Sequence, residues 1–204
     1  MDGESLLESV ESATETELSR LGSEKVLLAA IGARLEADAV AGVLAAAFDG
    51  GREHLEAWAA EADGDLAAAV ADGAERSATL HGEVVDAWPD ADGDAEALLR
   101  DLGEPADDAA RAGAGLVGLS LVLDRLLLQA VSYHVNEADD AAADVVRDLR
   151  ETVADGREGD AERVAEATDD HEAAVGGAIG AIEAAYAEYA DRLEAMGLDP
   201  RPIC

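Results

Sequence analysis

Apolar residues recur every three to four positions along almost the whole of this 204-residue chain, and no stretch alternates apolar with polar residues as a strand would. That period predicts an all-α fold. Ser5 and Glu8 have the S-x-x-E spacing of a capping box, opening a helix over 5–21 on Leu6, Leu7, Val10, Leu18 and Leu21 that Gly22 stops. Ser23 is placed to cap a second helix carrying Val26, Leu27, Ala30, Ile31 and Leu35. Four helices longer than 20 residues follow, over about 39–62, 65–88, 106–135 and 160–196. Shorter ones fall at 94–102 and 137–155. Asp49-Gly50-Gly51 weakens or kinks the first long helix, at about 1 kcal/mol per glycine relative to alanine. Pro89 ends the second, Pro105 suits the first turn of the third, and Asn136 marks a break and cap. Gly156 ends the 137–155 helix and Gly197 closes the last. Four such rods can enclose one core as an antiparallel four-helix bundle with additional shorter helices. The expected organisation is one domain, 1–204, with the helices of 1–38 packed on the bundle and a flexible tail over 198–204.

Charge narrows the setting. Asp and Glu number 47 against 14 Lys and Arg, only one of them a lysine (Lys25), for a net charge of −33. Self-repulsion of that size strains a compact fold in dilute buffer, and molar salt screens it within about 3 Å. With 47 alanines and almost no lysine, the composition points to a cytoplasm rich in K+. Strong periodicity argues against disorder as the meaning of the charge. There is no basic patch for a phosphate backbone, so direct nucleic-acid binding is not expected. The acidic start, Met1-Asp2-Gly3-Glu4, lacks the basic region of a secretory signal. The most apolar run, Leu116 to Val135, contains Asp124, Arg125, Gln129 and His134, so it reads as a buried helix rather than a membrane span. The single cysteine, Cys204, cannot form an internal disulfide. A cytoplasmic protein without a membrane anchor is expected.

Few motifs carry chemistry. Gly113-Ala114-Gly115-Leu116-Val117-Gly118 is literally G-x-G-x-x-G, but it lacks the strand and βαβ frame of a dinucleotide site. Its small residues, with Gly115 and Gly118 foremost, suit close helix packing instead. Gly176, Gly177 and Gly180 offer the same on the last helix, and the two faces are expected to meet each other or a partner subunit. Asp124-Arg125 puts charge inside the most apolar helix, where it must be paired with a neighbour or reach outward. The functional alternative is a polar centre to which Gln129 and His134 contribute. The four histidines, His54, His81, His134 and His171, follow Gly51, Ala78, Val131 and Thr168 by three positions, so no Glu-x-x-His ligand motif is present.

Three stretches carry a family resemblance. They are Ser19-Arg20-Leu21-Gly22-Ser23-Glu24-Lys25 followed by Leu35-Glu36-Ala37-Asp38-Ala39-Val40; Leu55-Glu56-Ala57-Trp58-Ala59; and Val135-Asn136-Glu137-Ala138-Asp139 leading to Arg147-Asp148-Leu149-Arg150. In these the chain resembles acidic haloarchaeal proteins of the ferritin-like, rubrerythrin-related family, labelled rubrerythrin-like or transcription antitermination protein. The resemblance implies a ferritin-like bundle. Where such enzymes carry metal ligands this chain has Ala45-Ala46-Ala47-Phe48, and the 65–88 helix offers only Glu75 and His81, six apart. Glu36 would be a leftover first-helix carboxylate. The resemblance therefore implies the bundle without its iron, acting through a protein partner or as a homodimer. The competing expectation is an iron- or manganese-dependent oxidoreductase with an atypical ligand set drawn from Glu36, Glu75, His81 and His134.

Overall fold

The computed structural model describes residues 1–32, 35–91 and 102–200. All regular structure among them is helical. Eight helices follow in order: α1 (Gly3–Ala13), α2 (Glu15–Leu21), α3 (Lys25–Ile31), α4 (Ala37–Glu61), α5 (Gly64–Ala87), α6 (Asp108–Asn136), α7 (Asp140–Ala167) and α8 (His171–Ala195). Residues 94–101 of the expected 94–102 helix and the last four residues of the expected tail lie outside the described residues; Leu102, which is described, is buried and not helical.

Five of these helices exceed 20 residues, where the apolar periodicity predicts four. The difference lies at Gly156 and Thr168. Helix α7 runs straight through Gly156 and Gly159, so the predicted stop and the predicted start at Asp160 both fall inside one rod. The true break is Thr168-Asp169-Asp170, where the Asp170 carboxylate accepts the Ala173 N–H at 3.1 Å and starts α8. At the other end, Asp2 rather than Ser5 caps α1, accepting the Ser5 N–H at 2.9 Å. Thr14, its hydroxyl turned back onto the Val10 carbonyl, divides the expected 5–21 helix in two. Ser23 bonds the Arg20 carbonyl and does not cap α3. Asn136 is the last residue of α6, and Asp139 caps α7. Asp107 caps α6, two residues after Pro105. Helix α4 continues through Asp49-Gly50-Gly51. Gly51 is needed there because a methyl of Leu119 would stand 2.9 Å from a Cβ.

Helix α6 is the axis of the fold. Its most apolar stretch is long enough to cross a membrane by length and composition alone, but 72 % of it is buried inside the protein. Around it, α4 and α5 form one antiparallel hairpin, and α7 returns along the C-terminal half of α6. Helix α8 lies against the N-terminal half, where six residues, Gly113–Gly118, form a π-turn within α6. Although only three residues join α7 to α8, α1 lies against both. Leu6, Val10, Leu18 and Leu21 are buried in the same core as Phe48, Leu127 and Tyr189, so residues 1–31 belong to the bundle.

The two glycine-rich faces meet each other. A Cβ on Gly113 would stand 1.9 Å from the Ala174 carbonyl oxygen, and one on Gly177 2.0 Å from that of Ala110. Gly118 closes on the Ala178 carbonyl in the same way. Three of the four glycines singled out from sequence lie elsewhere on their helices, and only Gly118 is at the contact. Gly176 and Gly180 face open space, and Gly115 turns toward Leu55 and Trp58 of α4.

Candidate functional site

Charge enters the middle of the bundle on α5 and α7. Asp160 of α7 is only 2 % exposed. One of its oxygens accepts from Arg76 of α5, and the other accepts from Arg163 at 2.5 Å, one turn further along α7. Arg163 also donates to Asp72 of α5 at 2.6 Å. Burial pushes the Asp160 carboxyl above the ordinary aspartate range, and Arg76 and Arg163 pull against that rise. Such a cluster adds little net stability over apolar packing, but removing one partner from it costs about 3–5 kcal/mol.

Glycines on three helices make room for it. A Cβ on Gly73 of α5 would lie 2.6 Å from a Leu116 methyl. One on Gly115 of the π-turn would lie 2.5 Å from a Leu55 methyl, and one on Gly156 of α7 2.8 Å from Arg76 Nε. A cavity of about 30 Å³ remains, bordered by Arg76, Ser77, Ser120, Arg157, Asp160 and leucines of the core. That volume holds one or two water-sized particles and no organic substrate. π-turns in α-helices often mark functional sites, and this one lies beside the cavity.

Comparison with protein families, with characterised proteins and with solved structures finds no match.

The metal candidates read from sequence are spread through the fold. Glu36 is exposed at the start of α4, Glu75 is exposed on α5, His81 is half-buried on α5, and His134 is buried near the end of α6. Among the described residues no three His, Cys, Asp or Glu side chains gather where they could hold one ion. Asp124 takes the paired arrangement. It is 5 % exposed and accepts from Arg150 of α7 at 2.9 Å and from its neighbour Arg125 at 3.1 Å. Gln129 donates to the Gly22 carbonyl at 2.6 Å, tying α6 to the α2–α3 connection rather than joining a polar centre with His134.

His134 has a different environment. It is 1 % exposed, and neither ring nitrogen has a hydrogen-bond partner among the described residues. Trp88 stacks on it at 5.7 Å between ring centroids, and Tyr133 meets it edge-on at 5.1 Å. Burial lowers its pKa below the ordinary value of 6.5, with Asp139 opposing. The unfolded chain takes up this proton near pH 6.5 while the fold resists it, so stability is lost as pH falls below that point. Urea unfolding in molar KCl is expected to show wild type losing up to about 1.4 kcal/mol more than His134→Phe between pH 7.5 and 5.5. Equal losses would show that His134 exchanges its proton freely in the fold.

Proposed function

We propose that the protein is a non-enzymatic, ferritin-like helical bundle of a high-salt cytoplasm that works by binding another protein. One observation carries this reading: an apolar and aromatic patch at the end of the bundle where α5 and α6 finish and α4 starts. Trp88 and Tyr133, both half-buried, flank His134, and the Tyr133 hydroxyl reaches the Leu35 carbonyl at 3.4 Å. Around them Leu35, Val85 and Val135 are 49 %, 41 % and 46 % exposed. Exposed large apolar side chains concentrated at one place mark interaction surfaces in soluble proteins. The adjoining positions are acidic and exposed: Glu36, Asp38, Asp86, Asp90, Glu137 and Asp139. The partner this chemistry suits is a basic amphipathic segment with an aliphatic or aromatic anchor. A second copy docked here would set this acidic rim against its own at contact, which favours a different, cationic partner over a homodimer. The same acidic surface disfavours nucleic acid.

The test uses Val85→Asp/Val135→Asp beside the wild type as bait in 3 M KCl, with lysate of a salt-accumulating host. Both positions are exposed, so the double variant is expected to fold. A protein retained by the wild type and released by the variant supports the reading. Identical retained sets overturn it. Two equivalents of tightly held iron or manganese in purified protein would overturn the non-enzymatic part.

A further inference from the structure

The Arg76–Asp160 cavity has donors without acceptors. Arg157 Nη1 is buried with no hydrogen-bond partner among the described residues. Ser77, 93 % buried on the opposite wall, makes no hydrogen bond to the described residues. Neither acceptor on the cavity wall bonds to these two donors: the Asp160 oxygens receive Arg76 and Arg163, and the Ser120 hydroxyl proton goes to the Val117 carbonyl. The charge count points the same way. Three guanidiniums, of Arg76, Arg157 and Arg163, face two carboxylates, of Asp72 and Asp160. Glu4, Glu8, Glu11 and Glu158 line a groove on the solvent side of Arg157, and none of them hydrogen-bonds to it. A buried donor left unmet costs about 1–3 kcal/mol, and more when it is charged. The natural occupant is an acceptor of about the size of a water molecule, and a monovalent anion also balances the extra positive charge.

We propose that the cavity between α5, α7 and the π-turn of α6 is a binding site for a small monovalent anion, chloride in a KCl-rich cell, held by Arg157 Nη1, the Ser77 hydroxyl and the Arg76 guanidinium. Inside a molecule carrying −33, three guanidiniums meet here and only the Asp72 and Asp160 carboxylates are hydrogen-bonded to them. Anion and cluster stabilise each other, because the anion supplies the acceptor that Asp160 cannot. The proposal stands independently of partner binding at the other patch.

Crystals of the full chain grown in KBr are expected to show an anomalous bromide peak within hydrogen-bond reach of Arg157 and Ser77. Water alone in the cavity, or bromide only on the surface, would overturn the proposal. In solution, chloride is titrated against glutamate at a constant 3 M potassium. The wild-type Tm is expected to rise by a few degrees, along a saturating curve, relative to Ser77→Ala and Arg157→Gln. Parallel responses in all three would overturn it. Ser77→Ala removes one hydroxyl and no charge, so it keeps the test decisive should Arg157→Gln fail to fold.

Discussion

Raising KCl from 0.1 M to 3 M is expected to raise the melting temperature of this protein by about 20 °C. The chain carries −33, and the fold already uses its cations locally. Arg52 serves Asp49 and Glu56, Arg111 serves Glu61 and Asp108, Arg192 serves Glu188, and Arg76 and Arg163 serve Asp160. The remaining carboxylates repel one another across the surface. At 0.1 M salt the Debye length of about 10 Å spans many of them, and at molar salt it shrinks to about 3 Å. Salt also weakens the exposed ion pairs, but each of those contributes only about 0–1 kcal/mol. Relief of the repulsion, on the order of several kcal/mol, wins. For a chain of this size each kcal/mol moves Tm by about 2–4 °C. Thermal circular dichroism checks the prediction. A Tm that stays level or falls across the series would show that packing alone holds the fold.

The second large effect lies where the glycine faces touch. Gly113→Ala and Gly177→Ala are each expected to cost about 3 kcal/mol or more, because the added methyl meets a backbone carbonyl that cannot rotate away. Gly176→Ala and Gly180→Ala, on the same helix as Gly177, meet nothing within 4 Å. Those two are expected to be neutral or to stabilise by up to about 1 kcal/mol, as alanine is the better helix former. Urea unfolding of the four variants in molar KCl reads the contrast directly. Similar costs at all four positions would mean that α6 and α8 lie further apart than described.

These glycines also show what could be read in the sequence. The all-α class followed from periodicity, and the bounds of α6 were within two residues, because a long apolar run leaves little choice of pattern. That the small-residue faces would mate was readable, but which residue of each face makes contact was not. A π-turn rotates Gly115 away from α8, and nothing in G-A-G-L-V-G announces one. Gly156 misled for a related reason. Glycine serves both as a helix stop and as a place for another side chain to approach, and only the presence of Arg76 from α5 decides between them.

The candidate site was hidden for a different cause. Asp124 sat in an apolar run and so declared its need of a partner, which proved to be Arg150. Asp160 sat among polar neighbours as one acidic residue of many. Its burial depends on Arg76, 84 positions away, and no local pattern encodes that pairing.

The position of α1 against both α7 and α8 sets an order of events. The Gly3 N–H donates to the Glu162 carboxylate at 2.9 Å across 159 positions of sequence, and a Cβ on Gly3 would strike the α7 backbone. On the ribosome α1 therefore emerges long before the groove that receives it exists. Until α7 and α8 are made, Leu6 and Val10 have nowhere to go. A helix of eleven residues is too short to persist alone in water, so it stays a loose strand of chain in the meantime. Docking it closes one of the long loops of the molecule, a step that contact-order arguments place late and slow. A segment synthesised before α7 and α8 is thus among the last to become native, and its arrival seals the joint between those two helices.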